Sequence, residues 1–545
     1  MDPHDVGVAA ALDHWGQRVS EAPTAPVLQH ELGWVSRAEL ATAVDAAARD
    51  FGAMRGDAPV GVVATRCADL AVAMLGAWRA HRRIAVLDVL MPHAYLRQCL
   101  ARCGAEQVFV ADGWRTLRRA AFDHAEPVDV PAVAAEVSHF LATSGSTGIP
   151  KMIGVSGTEL VSALFDYTER LRLTAADRFV FLAGAGHDSM FRDLLLPLLV
   201  GARTHVPGAW MTADARRLVG YLATVRPTVV HLTPARADVL ATAADAAGVK
   251  LPDTRAVVCC GAALTWGTVE RLRAVFPQAE IFNGYGVTEV PQLASLRPVD
   301  VDSAMVRDRH GVVPVGAGFG RYTLDVDPAP EGEIRIVTPT RTLHTGDRGR
   351  IAGGEVEWLG RLDRQVSVAG YRVEPAEIER ELMRDPSVAD AAVTTAPDSG
   401  ETGPLCAYVV ASGQLKPDIA ALKSRLRGQL PEWMVPSRVH LVPAIALDRN
   451  GKPDAVATAR LAGPARDGRV PDSVTASVLS AVRDVLPEDS VIRADENFFD
   501  AGLDSFGLLR LAEILRHRGH PDVELTDLFR WPNIKRLAEG LRSRA

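Results

Sequence analysis

The stretch Ala142-Thr-Ser-Gly-Ser-Thr-Gly-Ile-Pro-Lys151 sets two glycines, four hydroxyl side chains and a lysine within ten positions. Glycines let a backbone approach closely and turn its N–H groups inward, hydroxyls donate further hydrogen bonds, and a lysine adds a point charge, which together make a phosphate-holding loop. The Walker pattern is excluded, because Ile149 and Pro150 separate Gly148 from Lys151 and no Ser or Thr follows the lysine. Further clusters lie downstream. Asn283-Gly-Tyr-Gly-Val-Thr-Glu289 runs from a strand into a glycine-flanked tyrosine and then a carboxylate; Thr345-Gly-Asp347 and Gly360-Arg361-Leu-Asp363 offer acceptors and a guanidinium; Asn450-Gly-Lys452 presents a lysine on a turn. Near the end, Asp495-Glu-Asn-Phe-Phe-Asp500-Ala-Gly-Leu-Asp-Ser505 places a serine at a predicted helix start, where its plainest role is an N-cap.

These residues need elements to hold them. With 545 residues the chain exceeds one core, and about 150 residues per domain gives three or four units. From about Val60 to Val200 apolar runs such as Gly61-Val-Val-Ala, Arg83-Ile-Ala-Val-Leu and Gln107-Val-Phe-Val-Ala alternate with Ala/Leu/Arg-rich helical stretches, and the rhythm continues through Thr228–Thr233 and Ala256–Cys260. That alternation predicts βαβ units and a mostly parallel sheet. Beyond Gly332 shorter charge-alternating strands with Gly turns follow, and Glu374 to about Leu461 reads as a small α+β unit with helices over Ala376–Arg384 and Pro417–Gln429. A Gly/Pro/Arg-rich linker over 461–471 precedes a helical unit of some seventy residues. The Arg115–Arg119 patch reads as a solvated helix face. A net charge of −7 with mixed signs gives no nucleic-acid footprint, six cysteines without a CxxC pair suit reduced thiols in a cytoplasm, and no apolar stretch reaches membrane-spanning length.

In order and spacing the motifs resemble those of the acyl-adenylate-forming enzymes, and specifically a nonribosomal-peptide-synthetase adenylation domain fused to a C-terminal peptidyl carrier domain. The resemblance covers nearly the whole chain and implies an α/β multidomain fold: a large adenylation subdomain over 1–361, a small α+β subdomain over 362–460, the linker over 461–471 and a helical-bundle carrier domain over 472–545. It implies that Ser144, Gly145, Ser146, Thr147, Gly148 and Lys151 meet the phosphates of ATP. Gly261, Ala262, Gly284 and Gly286 edge the nucleotide, Tyr285 stacks on adenine, Thr288 meets the α-phosphate and Glu289 helps hold Mg²⁺. Asp347 accepts from the ribose hydroxyls, Arg361 adds a ribose contact, Asp363 is the hinge about which the small subdomain rotates between half-reactions, and Lys452, after Leu430-Pro-Glu-Trp-Met-Val-Pro436, is the catalytic lysine. Ser505 carries 4′-phosphopantetheine, attached by a separate transferase. Four departures stand out: Val287 replaces the usual proline, Ser367 a lysine and Ala369 an arginine, and the segment between Gly332 and Thr345 is short.

The implied reaction is ATP-dependent activation of an amino acid as aminoacyl-AMP and its loading as a thioester on the chain's own carrier domain, for natural-product biosynthesis. The alternative is activation of a non-amino carboxylic acid, as in acyl- or aryl-coenzyme A ligases, for which a carrier serine has no use. No condensation, thioesterase or reductase motif accompanies these units, so a condensation or tailoring enzyme in trans is the expected recipient, with an MbtH-like protein a further candidate partner. Asp188, in Gly186-His-Asp-Ser-Met-Phe-Arg-Asp193, falls where amino-acid-activating members place the carboxylate that pairs with the substrate ammonium. If Ser189 to Arg192 continues as helix, Asp188 and Arg192 share one face and look into one pocket. Ala235, Val258, Cys260, Gly284, Gln292 and Leu293 are then the other lining residues. Two substrates remain open: an amino acid with a second carboxylate, to which the unpaired Arg leans the reading and whose α-aminoadipate-activating relatives share the arginine, or a small apolar amino acid beside an Asp188–Arg192 pair.

Overall fold

A computed structural model describes residues 7–120, 136–143, 150–212, 214–300, 311–368, 370–395, 403–413, 415, 417–446, 458, 473–486, 492, 497–498, 501, 503, 505–518, 520 and 522–542. The alternating apolar runs build two sheets rather than one. In the first, five neighbouring parallel pairings join Glu280–Tyr285, Ala256–Cys260, Val229–Leu232, Arg178–Val180, Arg203–His205 and Pro26–His30, with an antiparallel strand at each edge. In the second, Val60–Ala64 lies between Gln107–Ala111 and Ile84–Asp88, so that Val62 is level with both Phe109 and Val86, and Val137–Thr143 continues the parallel set. Each interior strand reads as a continuous apolar run because helices cover both faces. Val60–Ala64 and Ile84–Asp88 are buried at every position.

The edges depart from the sequence reading in one place. Arg118–Ala120 pairs antiparallel with Gln107–Ala111 as an exposed edge strand, and Arg115 sits at φ 60°, so this patch is no helix face. Charged residues suit an edge, since they discourage further strand pairing.

Five antiparallel strands between Gly318 and Arg361 form the third sheet, in which Tyr322–Asp327 alternates buried and solvent-facing positions. The hairpin joining Glu331–Val337 to Thr342–Ala352 is short, and it leaves Asp347 opposite Arg361. The small unit has a two-stranded hairpin, Val366–Val368 with Tyr371–Val373, then the helices Pro375–Met383 and Ile419–Gln429 and a three-stranded sheet. Its apolar side chains Val366, Val373 and Ile378 share one core with Leu87, Tyr95 and Leu96 of the second sheet's layer, and this shared core fixes where the hairpin points. The last unit closes its own core with Val478, Leu511, Leu515, Leu528 and Leu537 from four helices and Phe498 from a turn. Its helix Ser505–His517 rests on Pro234–Ala246, and Arg516 reaches Asp214 at 3.1 Å with both side chains 10% exposed.

The strand order aims the carboxyl ends of the parallel strands at one crevice, the usual location of a ligand site in α/β sheets. Gly186 opens that crevice. It holds φ +76°, and a Cβ there would lie 2.5 Å from the Val86 carbonyl oxygen. Gly186→Ala is therefore expected to cost about 1–3 kcal/mol of stability through strain and backbone collision, read as a lowered denaturation midpoint; an unchanged midpoint contradicts this account.

Candidate active site

The crevice is a cavity of about 240 Å³ between the first sheet, the antiparallel meander and the hairpin of the small unit. Strand ends supply its floor: Cys260 closes Ala256–Cys260 and Tyr285 closes Glu280–Tyr285. Gly284 and Gly286 keep this corner thin. A Cβ on Gly284 would meet the Leu293 side chain at 2.9 Å, and one on Gly286 the Gln292 carbonyl oxygen at 3.2 Å, so glycine at both positions lets the 292–293 loop fold back over the strand end.

At one end stands Asp347, 6% exposed. Its carboxylate accepts from the Tyr285 hydroxyl at 2.6 Å, from Trp358 Nε1 at 3.2 Å and from Arg361 Nη1 at 2.9 Å. Arg361 also donates to both carboxylate oxygens of Asp363, at 2.9 and 2.6 Å. Burial works against the guanidinium's charge, but its bond to Asp363 and the charges of Asp347 and Asp363 raise its pKa further. The Tyr285 hydroxyl stays neutral, held well above its ordinary pKa by burial and by the Asp347 charge. Thr288 and Val287 line the neighbouring wall.

At the other end, Asp188 and Arg192 both face the cavity, as do Ser189, Gln292 and Leu293. The segment is not the regular helix expected from the sequence. Met190, Phe191 and Arg192 donate three residues back, to His187, Asp188 and Ser189, and a π-turn over Phe191–Leu195 follows. The wider turn accommodates Asp193, whose carboxylate accepts from Leu182 N, Ala183 N and His231 Nδ1. Asp188 accepts from Gln292 N at 2.8 Å and from Gln292 Nε2 at 3.0 Å, and Gln292 holds φ 68° to deliver both. Loss of water raises the Asp188 pKa to about 6, against the lowering effects of Arg192 and Gln292.

The third wall comes from the small unit, and sequence reasoning passed over most of it. Tyr371 stacks on Trp433 at 3.9 Å between ring centres, and His187 Nε2 meets the Gly370 carbonyl at 3.2 Å. Ser367, where a lysine was the expected residue, donates to the Gly261 carbonyl at 3.0 Å. Arg372 Nη1 reaches both oxygens of Glu289 at 3.2 Å. Trp358, Tyr371 and Arg372 carried no spacing signal; only their place immediately around the Arg361 and Asp363 motif marked them.

Two candidate lining residues lie elsewhere: Val258 is fully buried within its sheet, and Ala235 is exposed in the first turn of its helix. Ala262 lines the cavity beside Gly261, and Lys151 begins the strand Lys151–Ser156 opposite Thr143. Ser144, Gly145, Ser146, Thr147, Gly148, Ala369 and Lys452 lie outside the described residues, as does the side chain of Ser505, whose backbone begins the helix Ser505–His517.

Comparison with known proteins identifies the family. Residues 15–352 match the AMP-binding enzyme family, 377–452 the AMP-binding enzyme C-terminal domain and 476–541 the phosphopantetheine attachment site. The chain belongs to the AMP-binding enzymes, as an adenylation domain of the nonribosomal-peptide-synthetase type joined to a peptidyl carrier domain. It is 28% identical to surfactin synthase subunit 1 of Bacillus subtilis over 89% of its own length and 14% of that protein's. With a probable non-canonical nonribosomal peptide synthetase, CymA, of Salinispora arenicola it shares 32% identity over 76% of its length and 6% of the relative's. It thus spans a small part of the relatives it matches. Holo-PA1221, a nonribosomal peptide synthetase protein containing adenylation and carrier domains and bound to a vinylsulfonamide inhibitor, superposes with a TM-score of 0.77 at 20% identity, covering 98% of this chain and 96% of that one.

The family matches make the chain an adenylating ligase of the ATP-using AMP-binding type with a domain for the attachment of 4′-phosphopantetheine. Among the described residues no helix is long and apolar enough to cross a membrane. Tyr285→Phe removes one donor from the buried Asp347 carboxylate, and a lost hydrogen bond of this kind predicts an ATP KM raised roughly 3- to 10-fold; steady-state kinetics with saturating acid reads this, and an unaltered KM separates Asp347 from nucleotide binding.

Proposed function

We propose that the chain activates an amino acid as aminoacyl-AMP and loads it onto its own carrier domain for natural-product biosynthesis. The observation that carries the reading is the joint lining of one cavity by Asp188 at one end and by Tyr285, Thr288 and Asp347 at the other. An ammonium brought out of water needs a buried counter-charge, and Asp188 is that group. Asp347 offers acceptors to a sugar diol, with Arg361 fixing its orientation. Gly261 and Tyr285 present a backbone edge and a ring face to a base.

In the first step a carboxylate oxygen forms a bond to the α-phosphorus while the bond to pyrophosphate breaks. Negative charge gathers at the phosphates, where Lys151, Thr147 and, delivered from the small subdomain, Lys452 would offset it. Mg²⁺ is commonly held by one or two carboxylates plus substrate phosphates, and Glu289, a half-buried carboxylate next to the cavity-lining Thr288, suits that role. The ion would supply further positive charge. Phosphopantetheine on Ser505 supplies the thiol that takes the acyl group as the bond to AMP breaks.

Glu289 is here paired with Arg372 of the hairpin, whose guanidinium would have to give way for the carboxylate to hold an ion. Turning about Asp363 would exchange this hairpin for Lys452. The subdomain limits at 361/362 and the linker at 461–471 belong to the same reading, as does a condensation or tailoring enzyme, acting in trans, as recipient.

Lys452→Ala should depress acyl-AMP formation by on the order of 100-fold or more, as loss of a charged transition-state contact does. Ser505→Ala should leave pyrophosphate exchange intact and abolish covalent loading, read by intact mass; loading that survives in Ser505→Ala contradicts the carrier assignment. Asp188 adds a pH signature. Its pKa is raised to about 6, so the ionised carboxylate that pairs with an ammonium is depleted as pH falls through 6. The amino-acid KM should rise below pH 6 while the ATP KM does not, and Asp188→Ala should lose amino-acid activation at every pH while keeping ATP binding; better use of deaminated acids by the parent enzyme would point to a non-amino substrate.

A further inference from the structure

Arg192 is 2% exposed, yet the atoms it touches are neutral. Its Nη1 donates to Gln292 Oε1 at 3.3 Å, its Nη2 to Cys260 Sγ at 3.2 Å, and its Nε has no hydrogen-bond partner among the described residues. Burial pushes the Cys260 thiol up and holds the Tyr167 phenol well above its usual range, so neither supplies a negative charge. Asp193 adds a favourable charge, but its oxygens are committed to two backbone N–H groups and to His231. The larger carboxylate contribution comes from Asp188, reached through one amide: Gln292 Oε1 accepts from Arg192 while Gln292 Nε2 donates to Asp188 Oδ1 at 3.0 Å. Gln292 is itself 5% exposed and pinned by its backbone N–H to Asp188 Oδ2 at 2.8 Å.

An amino acid whose ammonium takes Asp188 removes that balance. The guanidinium is then left among a thiol, a phenol and an amide with only the already committed Asp193 as counter-charge, a deficit that a neutral side chain does nothing to offset. Both charges line the same cavity, on opposite sides of the Gln292 amide. Leu293 and Cys260 line the same cavity.

We infer that the side chain of the substrate amino acid bears a second carboxylate, which the Arg192 guanidinium receives, and that Gln292 holds the two charge-reading groups in register. The inference rests on the amino-acid reading of the Asp188 site. It makes Arg192 the residue that sets side-chain specificity. A planar guanidinium with an unused Nε donor matches a carboxylate in a way that a lysine would not.

The test is pyrophosphate exchange on the full chain with aspartate against asparagine, glutamate against glutamine, and α-aminoadipate, alanine, valine and glutarate. The parent should favour one of the acids over its amide, and over alanine and valine, by on the order of 100-fold in kcat/KM, since a site built around a buried polar group rejects the analogue that fails to pair it. Arg192→Gln should bring acid and amide close to parity. The comparison within the parent decides the matter even if that variant does not fold. A parent that prefers alanine, valine or an amide overturns the inference and leaves amino-acid activation standing, and one that exchanges none of the acids overturns the inference as well. A parent that prefers glutarate to glutamate overturns the amino-acid reading itself.

Discussion

Every carboxylate at the wall of the cavity is held by a donor from a different element, and the rest of the site depends on that. Desolvating an aspartate costs more than folding can spare unless hydrogen bonds or an opposite charge replace the water. Asp188, before the π-turn, is held by Gln292 from the loop after the Glu280–Tyr285 strand. Asp347 of the meander is held by Tyr285 from the first sheet and by Arg361 from the next strand. Glu289 is held by Arg372 from another subdomain. Removing any partner leaves a buried or half-buried charge, so the loops around the cavity constrain one another even where few apolar contacts join them.

The same reciprocity gives the small subdomain two kinds of hold on the large one. Its apolar side chains merge into a core beneath the second sheet, which is indifferent to ligand, whereas the hairpin contacts from Ser367, Gly370 and Arg372 are polar and lie at the cavity mouth. Polar contacts that water or a phosphate can replace exchange at low net cost. The bidentate Arg361–Asp363 pair lies at the last strand of the meander, immediately before the hairpin.

The carrier unit follows a different pattern. It closes its own core and touches the large subdomain through the Ser505–His517 helix and the Arg516–Asp214 pair. Asp214 also caps the helix Ala215–Val225 by accepting from Arg216 N and Arg217 N, so its position is fixed before the carrier arrives. Docking thus orders few new side chains, which keeps its entropic cost small.

Much of the architecture was legible in the sequence because period and punctuation are local properties. Continuous apolar runs announced the buried parallel strands, Ala256–Cys260 and Gln107–Ala111 among them, and charge alternation with Gly turns announced the meander. The nucleotide motifs were legible for a similar reason: Gly284, Tyr285 and Gly286 must be consecutive to make one tight corner. Arg115–Arg119 was misjudged because a short polar run has no period to distinguish a helix face from an edge strand. What the tertiary structure alone decided is which distant groups meet. Val258 and Cys260 differ by two residues yet only Cys260, at the strand end, reaches the cavity. The pairings of Gln292 with both Asp188 and Arg192, and of Arg372 with Glu289, span about a hundred positions or nearly so, and no local rule fixes them. Those contacts follow from sheet order, loop reversal and the shared core beneath the hairpin, and with them the tertiary structure settled how each buried charge is balanced.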